Sequence, residues 1–181
     1  MRVSKEKSAE NRERILDAAA RLFRERGLTG VGVDALTEAA GLTHGSLYSQ
    51  FGSKERLAAD ALIHALAATS KRMSDASTLG DYVGRYLSAD HRERLGDGCV
   101  IAALAGDMPR QGATIRHRFT DAIRGMAKKI ASLAPGAARP DDEALAIVAT
   151  MVGALILARA VDDPEFSDRI LGAARARLSS P

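Results

Sequence analysis

Residues 39–55 read AAGLTHGSLYSQFGSKE, and within this span a helix-forming chain stops and restarts twice. Gly41 ends one helix, because glycine enters the left-handed conformation that closes a helix without a side-chain penalty. Thr43 can cap the next helix through its hydroxyl. Leu42 just before that cap and Leu47 four positions after it have the spacing of a hydrophobic staple, which sets the angle at which the short helix leaves the turn. Leu36, Ala39 and Leu47 are placed to supply the apolar contact between the two short helices, Val33 to Ala40 and His44 to Gln50. Ser53 can cap a further helix. The predicted unit is a helix-turn-helix.

The short second helix presents Thr43, His44, Gly45, Ser46, Tyr48 and Ser49. Small side chains let a backbone approach a duplex groove, and hydroxyls and an imidazole can bond phosphates or base edges. Gly45 lowers helix stability by about 0.5–1 kcal/mol relative to alanine, and close approach to DNA is a reason to accept that. Lys54 beside the amides of a new helix makes a phosphate site. Spacing alone favours this reading only modestly over a plain helical hairpin that carries capping residues, since cap signals are common.

The flanking chain points to an all-α protein. Of its 181 residues 46% are hydrophobic, only 4% are aromatic and none is tryptophan, while alanine and leucine dominate and long β-branched runs are scarce. A net charge of +3 permits a nucleic-acid partner without requiring one. Ile15, Leu16, Ala19, Leu22 and Phe23 mark one face of an amphipathic helix that ends at Gly27, decorated by Arg12, Arg14, Arg21, Arg24 and Arg26. Another helix starts after Ser53. A polar break at 74–78 is followed by a short helix at 79–87, a charged loop at 88–98 and a helix near 99–106. A long helix at 113–133 leads into the linker PGAARP, 135–140. The last helices are expected at 141–161 and 164–178, the second opened by an Asp163 cap and Pro164.

The single cysteine, Cys99, excludes an intrachain disulfide. The N-terminus is charged and has no apolar signal core, so a cytoplasmic location is expected. The longest uncharged run, 144–158, is shorter than the roughly 20 residues of a membrane span, and no membrane association is expected.

The stretch from Arg12 to about Leu66 resembles the DNA-binding domain of the tetracycline-repressor (TetR/AcrR) family. The matching segments are ILDAAARLFRERG, a short helix closed by AAG, and LTHGSLYSQFGSKERL, whose most specific part is Leu47-Tyr48 followed by Phe51 and Lys54. The resemblance implies a transcription regulator, in general a repressor, that binds a palindromic double-stranded operator as a homodimer and is released by a small-molecule or electrophile inducer. It assigns DNA contact to Thr43, His44, Gly45, Ser46, Tyr48, Ser49 and Lys54. Gly32 stands where the family has a Ser or Thr cap and Thr37 where it has alanine, which shifts contacts from the first of the two short helices. The implied division is residues 1–56 as the DNA-binding domain, with 1–9 as a flexible arm, and 57–181 as a helical ligand-binding and dimerisation domain. The C-terminal part resembles the family in its helical plan and in GCVIAALAGDM, 98–108, similar to one subgroup.

Gly30, Gly32 and Ala35 match a nucleotide-loop pattern formally, but a helix rather than a strand precedes them. His44, His64, His91 and His117 lack metal-ligand spacing, and no catalytic frame is visible, so no metal, cofactor or enzymatic activity is expected. The competing class is a helical small-molecule carrier or enzyme with an unused DNA motif. A ligand pocket is expected among the middle helices, lined by Tyr82, Tyr86, Cys99, Leu104, Met108, Phe119, Ile123 and Met126. The helix around Ala146 to Leu157 is apolar almost all round, which predicts burial on every side. Its Ala149, Gly153 and Leu157, with Phe166 and Ile170 of the final helix, are the expected dimer interface. Cys99, at a predicted helix start, is either a thiol activated by the helix dipole or a packed small hydrophobe.

Overall fold

The computed structural model describes residues 5–134 and 140–179. Among these residues the chain forms ten α-helices and no strand. The first four are α1 (Lys5–Arg26), α2 (Val33–Ala40), α3 (His44–Phe51) and α4 (Lys54–Arg72). Then come α5 (Leu79–Tyr86), α6 (Ala89–Glu93) and α7 (Val100–Leu104), followed by a 3-10 turn at Met108–Arg110. The last three are α8 (Ala113–Leu133), α9 (Pro140–Ala160) and α10 (Pro164–Ser179).

The predicted face of α1 is the buried one: Ile15, Leu16, Ala19, Leu22 and Phe23 all lie in the core. Helix α2 closes as its sequence requires. Gly41 has φ 63°, its amide donates to the Glu38 carbonyl at 3.0 Å, and the Leu42 amide donates to that of Thr37 at 2.9 Å. Thr43 caps α3, Ser53 caps α4 and Asp163 caps α10, each side-chain oxygen accepting from the amide three residues on.

Helix α4 packs on α1 at one side and on α8 at the other, α8 packs on α9, and α9 on α10. One apolar core runs through all of them. The expected division after residue 56 falls in the first turn of α4, so the two parts share a helix. Of the expected arm at 1–9, Lys5 to Ala9 are the first turns of α1, since KEKSA is a run that sustains a helix, and residues 1–4 lie outside the described residues. Of the expected linker, 135–139 also lie outside them, and Pro140 opens α9.

The predicted charged loop contains α6. Ser88 caps it, accepting from the His91 amide at 3.1 Å. Arg159 on α9 donates to the carbonyls of His91 at 2.7 Å and Arg92 at 3.0 Å. That long-range cap is not visible in the local sequence. Two further expectations are corrected. Ala39 faces outward, and Ala40 packs beside Leu36 and Leu47 in its place. Helix α9 is not buried on every side. Ile147, Val148, Met151, Leu155 and Ala158 face the core, whereas Leu145, Ile156 and Leu157 are exposed. With its 21 residues α9 is also long and apolar enough to cross a membrane, although the uncharged run within it is shorter. Here α7, α8 and α10 pack against it.

Phe23 is 2% exposed at the centre of the α1 face. Phe23→Ala should cost about 3–5 kcal/mol through lost burial and a residual cavity, read as a lower urea midpoint by circular dichroism.

Candidate DNA interface and ligand cavity

The turn between α2 and α3 is tightened by its own polar groups. The Thr43 hydroxyl lies 3.2 Å from that of Ser46, and the Ser49 hydroxyl donates to the Ser46 carbonyl at 3.0 Å. Leu47 and Phe51 point into the core, and Leu42 packs at its edge. Thr43, His44, Gly45, Tyr48 and Ser49 are left exposed, and Ser46 and Lys54 are half-buried. Tyr48 is 49% exposed, an unusual place for an aromatic ring that has no outside partner. A Cβ added at Gly45 would meet nothing closer than the Thr43 hydroxyl at 4.0 Å, so no packing inside the protein demands glycine there. His44 Nε2 lies 2.6 Å from Asp34 Oδ1 and ties α3 to α2. Thr37 is buried and donates its hydroxyl to the carbonyls of Val33 and Asp34, so it satisfies itself within α2.

Arginines of α1 hold this unit from behind. Arg14 donates to the Ala40 carbonyl at 2.8 Å, at the end of α2. Arg12 donates to the Gln50 carbonyl at 3.4 Å and to Asp60 at 2.5 Å, and its guanidinium stacks 4.4 Å from the Phe51 ring centre.

A cavity of about 800 Å³ opens between α4, α5, α8 and the segment 90–101. Its apolar wall includes Leu66, Met73, Val100, Ile101 and Met126. Its polar wall includes Tyr82, Tyr86, His91, Arg118 and Lys129. His91 is the organiser. Its ring meets Tyr86 edge-on at 4.7 Å, and its Nε2 accepts from the Cys99 amide at 3.0 Å. Nδ1 therefore carries the proton and donates to the Tyr86 carbonyl at 2.6 Å. Gly98 is required by this arrangement, because a Cβ there would sit 2.7 Å from the Arg94 carbonyl and 2.8 Å from Arg159 Nη2.

Residues 15–61 match the profile of the bacterial regulatory proteins of the tetR family. This N-terminal segment is of the tetR family. Among curated tetR-family relatives the chain is 35% identical over 83 residues to the HTH-type transcriptional regulator TtgR of Pseudomonas putida, covering 46% of this chain and 39% of that protein. It is 50% identical over 46 residues to the HTH-type transcriptional repressor KstR2 of Rhodococcus jostii, covering 25% of this chain and 22% of that protein. The chain thus spans less than two fifths of the length of either. A solved TetR regulator from Chloroflexus aurantiacus superposes with a TM-score of 0.80 at 28% identity, over 96% of this chain and 94% of that one. Reduced NemR of E. coli shares the fold at 22% identity and a TM-score of 0.80, over 94% of this chain and 95% of that one.

Of the pocket residues expected from sequence, Tyr82, Tyr86, Cys99 and Met126 line the cavity. Leu104, Met108 and Phe119 do not, because they are buried in the core, and Ile123 packs at its edge. Helix α7 packs on both α1 and α9, which turns Leu104 away from the cavity. Cys99 is 3% exposed at the start of a helix of only five residues, which fits the packed reading of the thiol better than the dipole-activated one. Sequence reasoning missed His91, Arg118 and Lys129 of the polar wall. The one local signal was on α8, where Arg118, Ala122, Gly125, Met126 and Lys129 share a helical face.

The floor of the cavity is latched to α1. Arg24 Nε donates to the Gly96 carbonyl at 2.5 Å, and Arg21 Nη2 bridges both Asp97 oxygens at 3.0 and 3.3 Å. Arg72 donates to the Asp97 carbonyl from α4. Burial, aided by Arg159 and Arg72, lowers the His91 pKa below the ordinary value of 6.5 against the opposing Tyr86 carbonyl. Unfolded chains then bind the proton first, so stability should fall as pH drops through about 6.5 towards the folded value. Urea midpoints from about pH 7.5 downwards should show this slope. His91→Gln should be less stable at the upper end and have a flatter slope.

Proposed function

We propose that the protein is a transcriptional repressor that binds a palindromic operator as a homodimer and is released by a small molecule entering the cavity. The observation that carries the DNA reading is α3. It is capped, held from behind and exposed, with a glycine that nothing in the protein requires. Its small polar face fits the major groove. Thr43, His44 and Ser46 are assigned to base edges, with Gly45 and Ser49 against the backbone. Tyr48 and Lys54 are assigned to phosphates. A regulator of this kind works in the cytoplasm. Selection of duplexes from a random pool at moderate salt tests the reading, and a palindromic consensus is the expected result. A helical carrier or enzyme would select no sequence.

The dimer reading rests on the outer face of α9 and α10. Leu145, Leu157 and Phe166 are 48%, 58% and 47% exposed, with Ala149 between them and Ile170 half-buried at the edge. A Cβ at Gly153 would meet nothing, so this face is open for a second helix to cross closely. Two helices from each protomer would form a four-helix interface, and two recognition helices would then meet successive turns of DNA.

The contacts offer a route from ligand to DNA. A molecule in the cavity presses on 96–98, that turn is latched to α1, and α1 holds the ends of α2 and α3 through Arg14 and Arg12. A ligand that fits better when the latch shifts would populate a spacing of recognition helices that misses the operator. An electrophile is the less favoured inducer, because the Cys99 thiol is nearly inaccessible.

Two outcomes are expected from variants. Lys54→Ala should weaken binding to every duplex and reduce the salt slope by about one, whereas His44→Ala should change sequence preference more than slope, both read by fluorescence anisotropy. Gly153→Glu should give monomers by light scattering and lose operator affinity. A wild-type monomer that binds a palindrome tightly would contradict the dimer.

A further inference from the structure

The chemistry of the cavity wall narrows what it can hold. Tyr86 is 3% exposed, yet its hydroxyl has no hydrogen-bond partner. The neighbouring Cys99 thiol is the hydroxyl's nearest candidate partner, and a thiol is a weak one. A buried hydroxyl left unmade costs about 1–3 kcal/mol, so a group that accepts from it is favoured. Burial raises the pKa of both lining phenols, that of Tyr82 to about 12, so both remain protonated donors at neutral pH.

The charges on the wall are unequal. Three carboxylates line the cavity, and each is already engaged. Asp90 pairs with Arg94 at 2.9 Å, Asp97 with Arg21 at 3.0 Å, and Asp121 with His117 and Arg124 at 3.5 and 3.6 Å. On the cationic side Arg85 is held by Asp75 and Asp81 and Arg94 by Asp90, while Arg72 donates to the Asp97 carbonyl. Arg118 has no ion-pair partner among the described residues, and half-buried Lys129 has only the Ala76 carbonyl, at 3.4 Å. Both project from the same face of α8, on either side of Gly125, where an added Cβ would meet nothing. Opposite this polar edge lie Leu66, Met73, Val100 and Ile101.

We infer that the cavity takes an amphipathic anion, with its apolar body against the Leu66, Met73 and Ile101 wall, its head paired with Lys129 and Arg118, and an acceptor atom receiving the Tyr86 hydroxyl. A neutral apolar molecule would leave the buried Tyr86 donor and half-buried Lys129 unanswered. A cation would face Arg72, Arg118 and Lys129, which have no carboxylate partner among the described residues. The inference rests on the reading of the cavity as a ligand site.

The test uses three probes with one body: 2-naphthoate, its methyl ester and 2-naphthylmethylammonium, titrated into the full chain by calorimetry with thermal shift alongside. The carboxylate should bind about tenfold or more tightly than the ester, as expected for one charge-assisted contact, and the ammonium should be weakest. Lys129→Met should bring the carboxylate most of the way down to the ester, Arg118 remaining, without changing the ester. Tyr86→Phe should weaken both acceptor-bearing probes. Lys129→Gln guards against poor folding of the methionine variant. Ester or ammonium binding as tight as the carboxylate overturns the anion and leaves a ligand cavity standing. Binding by none of the three to folded protein overturns both readings.

Discussion

The seam between α1 and α4 is closed by alanines. Ala19 of α1 and Ala61 of α4 are 0% and 1% exposed, with Ile15, Leu57, Ala58 and Ala65 around them. Side chains this small let two long helices lie close, so the many weak contacts along them add up. Arg12 to Asp60 and His64 to Asp17, at 2.5 and 2.6 Å, pin the seam at two further points. Because α4 also packs on α8, the orientation of this seam decides how α2 and α3 sit relative to the cavity.

The latch from 96–98 to α1 takes its meaning from that seam. A surface ion pair such as Arg21 with Asp97 contributes little stability in water. Its value lies in position, since it joins a cavity wall to the helix that carries the DNA-facing unit. Gly96 and Gly98 are both buried and both crowded, so a side chain there would have to displace the Glu25 and Arg21 side chains of α1, or the Arg94 carbonyl and Arg159. The same turn presents the Cys99 amide to His91. In the proposed mechanism, a change in the cavity would reach α1 through this one short piece of backbone.

Surface and interior exchange roles along the last two helices. Ser167 is buried, donating to the Ala158 carbonyl at 2.6 Å and accepting from Arg92 at 2.9 Å, and Leu171 fills the core beneath it. The larger Phe166, one residue earlier, is exposed. The buried serine is satisfied by both of its bonds, and the proposed dimer would cover the exposed ring.

The helix-turn-helix was legible in the sequence because local chemistry dictates it. Gly41, Thr43 and Ser53 act on their own backbone neighbours, so their roles follow from position, and the ends of α2, α3 and α4 fall close to where those residues place them. The exposure of α3 was legible for the same reason, once Leu47 and Phe51 had to face inward. Helix α6 was not, since its end is capped by Arg159 from 67 residues away. The cavity was half legible. Tyr82, Tyr86, Cys99 and Met126 were expected there, but periodicity could not separate them from Leu104, Met108 and Phe119, which have the same apolar character and point to the core. The charged and imidazole part of the polar wall belongs to the tertiary structure alone. His91, Arg118 and Lys129 each read as ordinary surface in their own segments, and only the packing of α8 across α4 and α7 brings them around one space. Local hydrogen bonds are encoded where they are made, whereas a cavity is defined by what distant helices leave unfilled.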